Sequence, residues 1–167
     1  MSSFDLHEVD RFIVGAVGMP GDRTFFFQVH AGKTLISFKA EKAQIAALAE
    51  HLQHLLADVA ATDTSPVEWS TLDLPVFPEW DVGAIGLGYE ATSDSVLIVL
   101  NELDRTGGAG LEIGAESSME SARFRLTRPQ ADAFVKHGLS LVSAGRPTCT
   151  FCSAPIDPEG YNCACFN

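Results

Sequence analysis

The order of apolar segments constrains the fold of this chain most, because three β-rich segments followed by a helical pattern occur twice. In the first half, residues 11–17, 23–30 and 34–39 are rich in aromatic and β-branched side chains and are separated by glycine-containing turns. In residues 41–60, which follow, apolar side chains recur at steps of three and four. That periodicity predicts an amphipathic helix.

The second half repeats this order. Residues 82–86 (VGAIG) are similar to residues 14–18 (VGAVG) at an offset of 68, and further strands are predicted at 95–102 and 122–127. A second helix is predicted over 128–144, with Thr127 as its N-cap. Gln44 and Gln130 lie near the two helix starts at an offset of 86, so the second copy contains an insertion, the glycine-rich segment 104–120. Chance similarity between short apolar strands is the alternative explanation.

These patterns predict an α+β fold in which two β-β-β-α repeats form antiparallel sheet with two packed helices. The first repeat covers residues 1–60 and the second covers 79–145. Residues 61–78 contain prolines and many polar residues, which predicts an irregular linker packed on the surface. Residues 146–167 form a separate tail.

Composition excludes several classes of protein. The chain has 167 residues, 22 acidic against 11 basic, and an isoelectric point near 4.7. Binding to nucleic-acid phosphates is therefore disfavoured, because it needs clustered Lys and Arg. No apolar run approaches the roughly 20 residues that span a bilayer, and the first residues do not resemble a secretory signal. We therefore expect a cytoplasmic protein without a membrane segment.

All four cysteines lie in the tail, at Cys149, Cys152, Cys163 and Cys165. Such clustering in a reducing compartment favours a metal site over a disulfide scaffold. The C-x-x-C spacing of the first pair lets both thiolates bind one ion, and four thiolates around Zn²⁺ make a closed, structural site. The C-x-C spacing of the last pair is tighter, so one of its two cysteines could lie outside the ligand set. A reduced, metal-free tail or a redox pair is the alternative.

The energetics of the tail favour the zinc knuckle. Residues 149–167 contain two Phe, one Ile and one Tyr, which is too little apolar surface to order a segment of this length. Zinc binding contributes roughly 10–16 kcal/mol in small zinc-binding peptides, which is enough to order it.

Other polar groupings give weaker signals. Arg123 and Arg125 alternate on a predicted strand with Arg128 just beyond, an arrangement suited to binding an anion such as phosphate or carboxylate, although pairing with the abundant acids is the alternative. Residues 83–88 have the spacing G-x-x-G-x-G, which indicates a closely packed, bulged strand rather than a dinucleotide loop. His51 and His54 lie three residues apart on the first helix, where a solvated face explains them better than a ligand pair.

Three stretches together resemble the DUF3090 family of actinobacterial proteins: DRFIVGAVGMPGDRTFFFQ, EKAQIAALAEHL and GRPTCTFCSAPIDPEGYNC. The resemblance covers nearly the whole chain and implies a zinc-ribbon-like tail with Cys, Cys, His and Cys as ligands. Here the family's Gly-His-x-Cys is replaced by residues 160–163 (GYNC), so the histidine is absent and Cys165 would take its place. Family members are often encoded near phosphatase-like and lipid-kinase-like proteins, which implies a link to phosphate signalling.

These observations predict a non-enzymatic, zinc-containing binding or adaptor protein whose partner is another protein. The sequence offers a closed metal site but no recognisable nucleophile–base set, phosphate loop or basic groove. The alternative is an enzyme or small-ligand binder with a pocket between the two repeats, near the glycine motif and the 104–120 segment. The oligomeric state is left open by the sequence.

Overall fold

The computed structural model describes residues 3–60, 65–105, 119–145 and 149–152, and these form one seven-stranded sheet and two helices. The elements in chain order are β1 (Phe4–Leu6), β2 (Arg11–Val17), β3 (Thr24–Ala31), β4 (Thr34–Ala40), α1 (Lys42–Asp58), β5 (Pro78–Glu90), β6 (Ser95–Glu102), β7 (Ser121–Thr127) and α2 (Arg128–Ser143). The mixed α+β class is confirmed, and the order β-β-β-α occurs twice, from β2 to α1 and from β5 to α2. Of the 104–120 insertion, residues 106–118 lie outside the described residues, as does most of the 146–167 tail.

The strand order is β1-β7-β6-β5-β4-β3-β2. Each half is an antiparallel meander, as predicted, but the complete sheet is mixed. β4 pairs with β5 in parallel, and β1 pairs with β7 in parallel. The parallel pairing of β4 and β5 joins the two halves, and it is made possible by the helix and linker that carry the chain back between these strands.

The sheet is strongly curled, because rings from its two ends meet in one core. Phe12 on β2 lies 5.0 Å between ring centroids from Phe124 on β7, although these strands are far apart in the strand order. Phe4 on β1 likewise lies 6.2 Å from Phe38 on β4. Phe134 of α2 stacks on Phe12 at 4.9 Å, so the helices fill the concave side of the curled sheet.

Both helices begin with the same glutamine-containing capping box. Gln44 and Gln130 occupy the third position of α1 and α2, and each accepts a hydrogen bond from the backbone N–H of the N-cap residue, Glu41 or Thr127. The amide of each glutamine also donates to two strand carbonyls. Neither described helix is long and apolar enough to cross a membrane.

The strand registers define which positions of the two halves correspond. In the first half, Phe12 on β2 pairs with Val29 on β3, which pairs with Ile36 on β4. In the second half, Ile85 on β5 pairs with Leu100 on β6, which pairs with Ala122 on β7. Ile36 and Ala122 are 86 residues apart, as are the two capping glutamines, whereas Phe12 and Ile85 are 73 residues apart.

The letters that match at an offset of 68 are therefore not structurally corresponding residues, which the strand registers relate by 73. β5 contains a register shift between Val82 and Ile85, and the extra residue changes which side chains face the core. A comparison of sequence letters does not detect that change. The predicted bulge and close packing at Gly83 are confirmed, because a Cβ atom there would lie 2.9 Å from the carbonyl oxygen of Glu102.

Residues 65–77 cover the edge strand β2 and the sheet face opposite the helices. Phe27 points toward α2, so its neighbour Gln28 faces the other side, where its amide oxygen accepts from the N–H of Asp73 at 2.7 Å. Leu72 lies directly over Gly15, where a Cβ atom would come within 2.5 Å of the leucine side chain. The segment is irregular and packed on the surface, as predicted.

Candidate functional site

An open groove lies between α1 and β5, where the first half of the chain meets the second. Its volume is about 430 Å³, and its lining comprises Gln44, Ala47, Leu48, His51, Gly83, Ile85 and Leu87. Leu48 is buried, whereas Ala47 and His51 are exposed. The groove is mainly apolar and has a polar group at each end, the Gln44 amide and the His51 imidazole.

The polar groups of the groove are held in place by the backbone. Gln44 Nε2 donates to the carbonyls of Val82 and Gly83 at 2.9 and 2.8 Å, which fixes the start of α1 against β5. His51 Nδ1 lies 2.6 Å from the carbonyl oxygen of Ala47. Since a carbonyl only accepts, Nδ1 donates this hydrogen bond.

The corresponding groove, between α2 and β2, is filled by the chain itself. Trp69 stacks on His137 with ring centroids 4.0 Å apart and an interplanar angle of 8°. Only about 10 Å³ remains there, lined by residues of β2, of α2 and of the 65–77 segment, among them Phe12, Gln130 and Ala133. This is about the smallest volume that holds one water molecule.

The two helices carry the same pattern of residues at these grooves. In α1 the pattern is Gln44, Ala47, Leu48 and His51, and in α2 it is Gln130, Ala133, Phe134 and His137. Gln130 donates to the carbonyls of Val9 and Asp10. These two residues correspond to Val82 and Gly83, because the strand registers give an offset of 73. The repeat Q-x-x-A-x-x-x-H is visible in the sequence and could have indicated the groove, but sequence analysis recognised only its glutamines.

A polar cluster lies beneath the 65–77 segment. Arg11 donates to Ser70 Oγ at 2.9 Å and lies 3.3 Å from His30 Nδ1, while His30 Nε2 is buried 3.1 Å from Asp73 Oδ2. Gln28, fully buried, donates to Ser37 Oγ and to the Asp73 carbonyl. Sequence analysis missed this cluster because its members are distant in the chain.

The cluster is suited to fastening the segment rather than to catalysis. Burial, and next the charge of Arg11, lower the pKa of His30 below 6.5, so its ring is neutral at pH 7. Arg11 faces one ring nitrogen and Asp73 the other. Nδ1 is thus occupied by Arg11, and Nε2 is buried with no hydrogen-bond partner in the described part of the chain. Neither nitrogen is accessible to the hydroxyl group of a substrate, from which a general base must take a proton.

We expect stability to fall as the pH drops below about 6.5, because burial lowers the pKa of both His30 and His137. Below that pH the unfolded chain binds protons that the folded chain does not, so the free energy of unfolding decreases. His137→Phe preserves an aromatic ring that can stack on Trp69 but removes one of the two titratable imidazoles. Urea unfolding at pH 7.5 and 5.5 should show that the free energy of unfolding decreases less between these two pH values in this variant than in the wild type.

The exposed residue His54 provides the matched control, and His54→Gln should keep the pH dependence of the wild type. An unchanged pH dependence in His137→Phe would contradict the assignment of part of the effect to the Trp69 stack.

The three arginines that were predicted to bind an anion are not brought together. Arg123 is exposed, and Arg125, on the same strand, pairs with Glu90 at 3.1 Å. Arg128 is buried and reaches the end of α1, where it donates to the carbonyls of Leu56 and Val59 at 3.3 and 2.7 Å. Its Nε donates to Asp94 Oδ1 at 3.4 Å, and the same oxygen accepts from the Tyr89 hydroxyl at 2.7 Å. An anion-binding role for Arg123 and Arg125 stays a prediction.

The first cysteine pair of the predicted metal site lies in a turn. Cys149 is buried and Cys152 is exposed, and the backbone N–H of Phe151 donates to Cys149 Sγ at 3.4 Å. Cys163 and Cys165 lie outside the described residues, and within the described part of the chain no group of three or more His, Cys, Asp or Glu side chains is arranged to hold a metal ion.

The fold and grooves define a class of α+β protein in which two β-β-β-α units share one curled sheet. The chain belongs to the DUF3090 family, described as a protein family of unknown function, whose model matches residues 4–163. Neither a curated protein nor a solved structure matches the chain.

Proposed function

We propose that this protein is a zinc-containing adaptor that recognises another protein through the groove between α1 and β5. The observation that carries the proposal is the groove itself, an apolar cleft of about 430 Å³ whose rim residues Ala47 and His51 are exposed. Clefts that are lined mainly by apolar side chains with a few polar groups are typical binding sites.

Binding suits this groove better than catalysis. Among the described residues that line it, His51 is the one titratable side chain. Acid–base or nucleophilic chemistry needs a second group that orients the imidazole or is activated by it. The proton on Nδ1 of His51 is instead directed to the carbonyl of Ala47, on the same helix.

The zinc part of the proposal rests on the cysteine turn. Cys149 and Cys152 would supply two thiolates, and Cys163 and Cys165 the other two, which together suit the tetrahedral coordination that Zn²⁺ prefers. The ion would order the tail, and a reducing cytoplasm would keep the thiols available. The link to phosphate signalling stays an expectation from the family resemblance.

A small-ligand binder is the second candidate, and the volume of the groove favours it. About 430 Å³ lies within the range of roughly 300–1,000 Å³ that is typical of small-molecule pockets. A metabolite that is retained on purified protein and lost from a groove variant would support this candidate over the adaptor.

We expect Ala47→Arg to abolish partner binding, because it places a long charged side chain across the apolar groove. Tagged wild type and variant would be expressed in the native host, cross-linked and recovered, and captured proteins would be quantified by mass spectrometry. At least one protein should be strongly depleted in the Ala47→Arg sample.

Gln53→Arg is the matched control, since Gln53 is exposed on the same helix and does not line the groove. It adds the same charge and should retain the partner. Equal capture by all three proteins would contradict recognition through the groove.

A further inference from the structure

We infer that the α1/β5 groove binds an extended segment of the partner through a tryptophan side chain that stacks on His51. The inference rests on the proposed adaptor function and specifies the chemistry of the partner. It is drawn from the α2/β2 groove, the corresponding site within the same chain, in which the occupant is present and can be described.

The filled groove shows how an occupant is held. Trp69 lies nearly parallel to the His137 ring, 4.0 Å away, and it reaches this position on an irregular segment that runs along the edge strand β2. Arg11 on β2 donates to Ser70, the next residue of the segment, at 2.9 Å. Ring stacking and a side-chain hydrogen bond therefore fix the segment together.

The open groove has the same framework. His51 corresponds to His137, Ala47 to Ala133 and Gln44 to Gln130, each at an offset of 86. Each glutamine fixes its helix to a pair of strand carbonyls in the same way. Because these helix positions correspond, an occupant of the α1/β5 groove would find an imidazole, that of His51, at the position where Trp69 finds His137.

The chain has no tryptophan of its own left for this site. It contains two tryptophans, of which Trp69 fills the α2/β2 groove and Trp80 is buried with its ring 4.4 Å from Phe38. Neither tryptophan of these 167 residues is therefore left to fill the open groove, and we assign its occupant to a partner. Since the chain carries a formal charge of −11, a segment without excess acidic residues is favoured.

The test uses a peptide that copies residues 65–71 of this chain, SPVEWST, with its glutamate replaced by glutamine so that it carries no excess acidic residue. The peptide is labelled with a fluorophore and titrated with full-length protein. We expect saturable binding that is lost when the tryptophan of the peptide is replaced by alanine. His51→Ala should raise the dissociation constant roughly threefold to tenfold, the effect of losing one stacked ring pair. His54→Ala, on the same helix but outside the groove, should leave it unchanged.

Several results would overturn the inference. Weakening by His137→Ala but not by His51→Ala would mean that the peptide only displaces Trp69. Tighter peptide binding after replacement of the tail aromatics Phe151, Tyr161 and Phe166 by alanine would identify the chain's own tail as the occupant. Self-association that is abolished by Ala47→Arg would identify a second copy.

The outcome for the inference is separable from the outcome for the adaptor function. If Ala47→Arg abolishes partner capture but the peptide does not bind, the adaptor function is retained and the inference of a tryptophan-bearing segment is rejected. Peptide binding without capture of any protein would support the stacking site and reject the adaptor.

Discussion

Arg128→Met is expected to lower the free energy of unfolding by about 3 kcal/mol, near the low end of the range for removing one partner of a buried ion pair. The Arg128 side chain is 8% exposed and that of Asp94 19% exposed, so the carboxylate of Asp94 would keep some water but lose its cation. The substitution also removes the donors to the carbonyls of Leu56 and Val59 at the end of α1, where the described helix has no basic residue of its own in its last turn.

Lys136→Met is the matched control, because it removes one positive charge from an exposed ion pair with Asp132. It should change the free energy of unfolding, measured by urea denaturation, by no more than about 0.5 kcal/mol. The measurement also decides between a structural role and the anion-binding role predicted for Arg128. An Arg128→Met protein with wild-type stability but weakened phosphate binding would contradict the structural assignment.

The sequence predicted the local elements well because each has a clear periodic pattern. The predicted segment 95–102 is the observed β6, and the predicted helix 128–144 is the observed α2, Arg128–Ser143, with Thr127 as its N-cap. These elements depend on side-chain periodicity and capping, which act between residues close in the chain. The absence of cysteine before residue 149 likewise localised the predicted metal site to the tail.

Features that depend on pairing between distant strands could not be predicted in the same way. β1 has only three residues and exists because Phe4–Leu6 pairs in parallel with β7, more than a hundred residues away. Recognising the polar cluster required knowing that Asp73 lies over Gln28 and His30. Sequence analysis placed a pocket between the two repeats near the glycine motif, where Gly83 lines the open groove, but it did not recognise Trp69 as the occupant of the corresponding groove.

Zinc content is expected to fall from about one ion per chain in the wild type to near zero in Cys149→Ser, provided that both are purified under reducing conditions. Cys149 is the most informative position, because its sulfur is buried and accepts from the Phe151 N–H. Serine keeps the size of the side chain but replaces the thiolate that Zn²⁺ favours with a hydroxyl that stays protonated at neutral pH. Because metal affinity and order of the tail are coupled, the same variant should be cleaved faster by protease within residues 149–167.

Thr150→Ser is the control, since it changes the same turn without removing a sulfur. Cys163→Ser and Cys165→Ser then determine whether Cys165 replaces the histidine that the family resemblance implies, because a residue outside the ligand set can be substituted without loss of metal. Zinc loss in both would indicate four thiolate ligands, and loss in Cys163→Ser alone would indicate that Cys165 does not bind. Fresh, reduced wild-type protein without zinc would reject the metal site, while the groove between α1 and β5 would still be tested by Ala47→Arg.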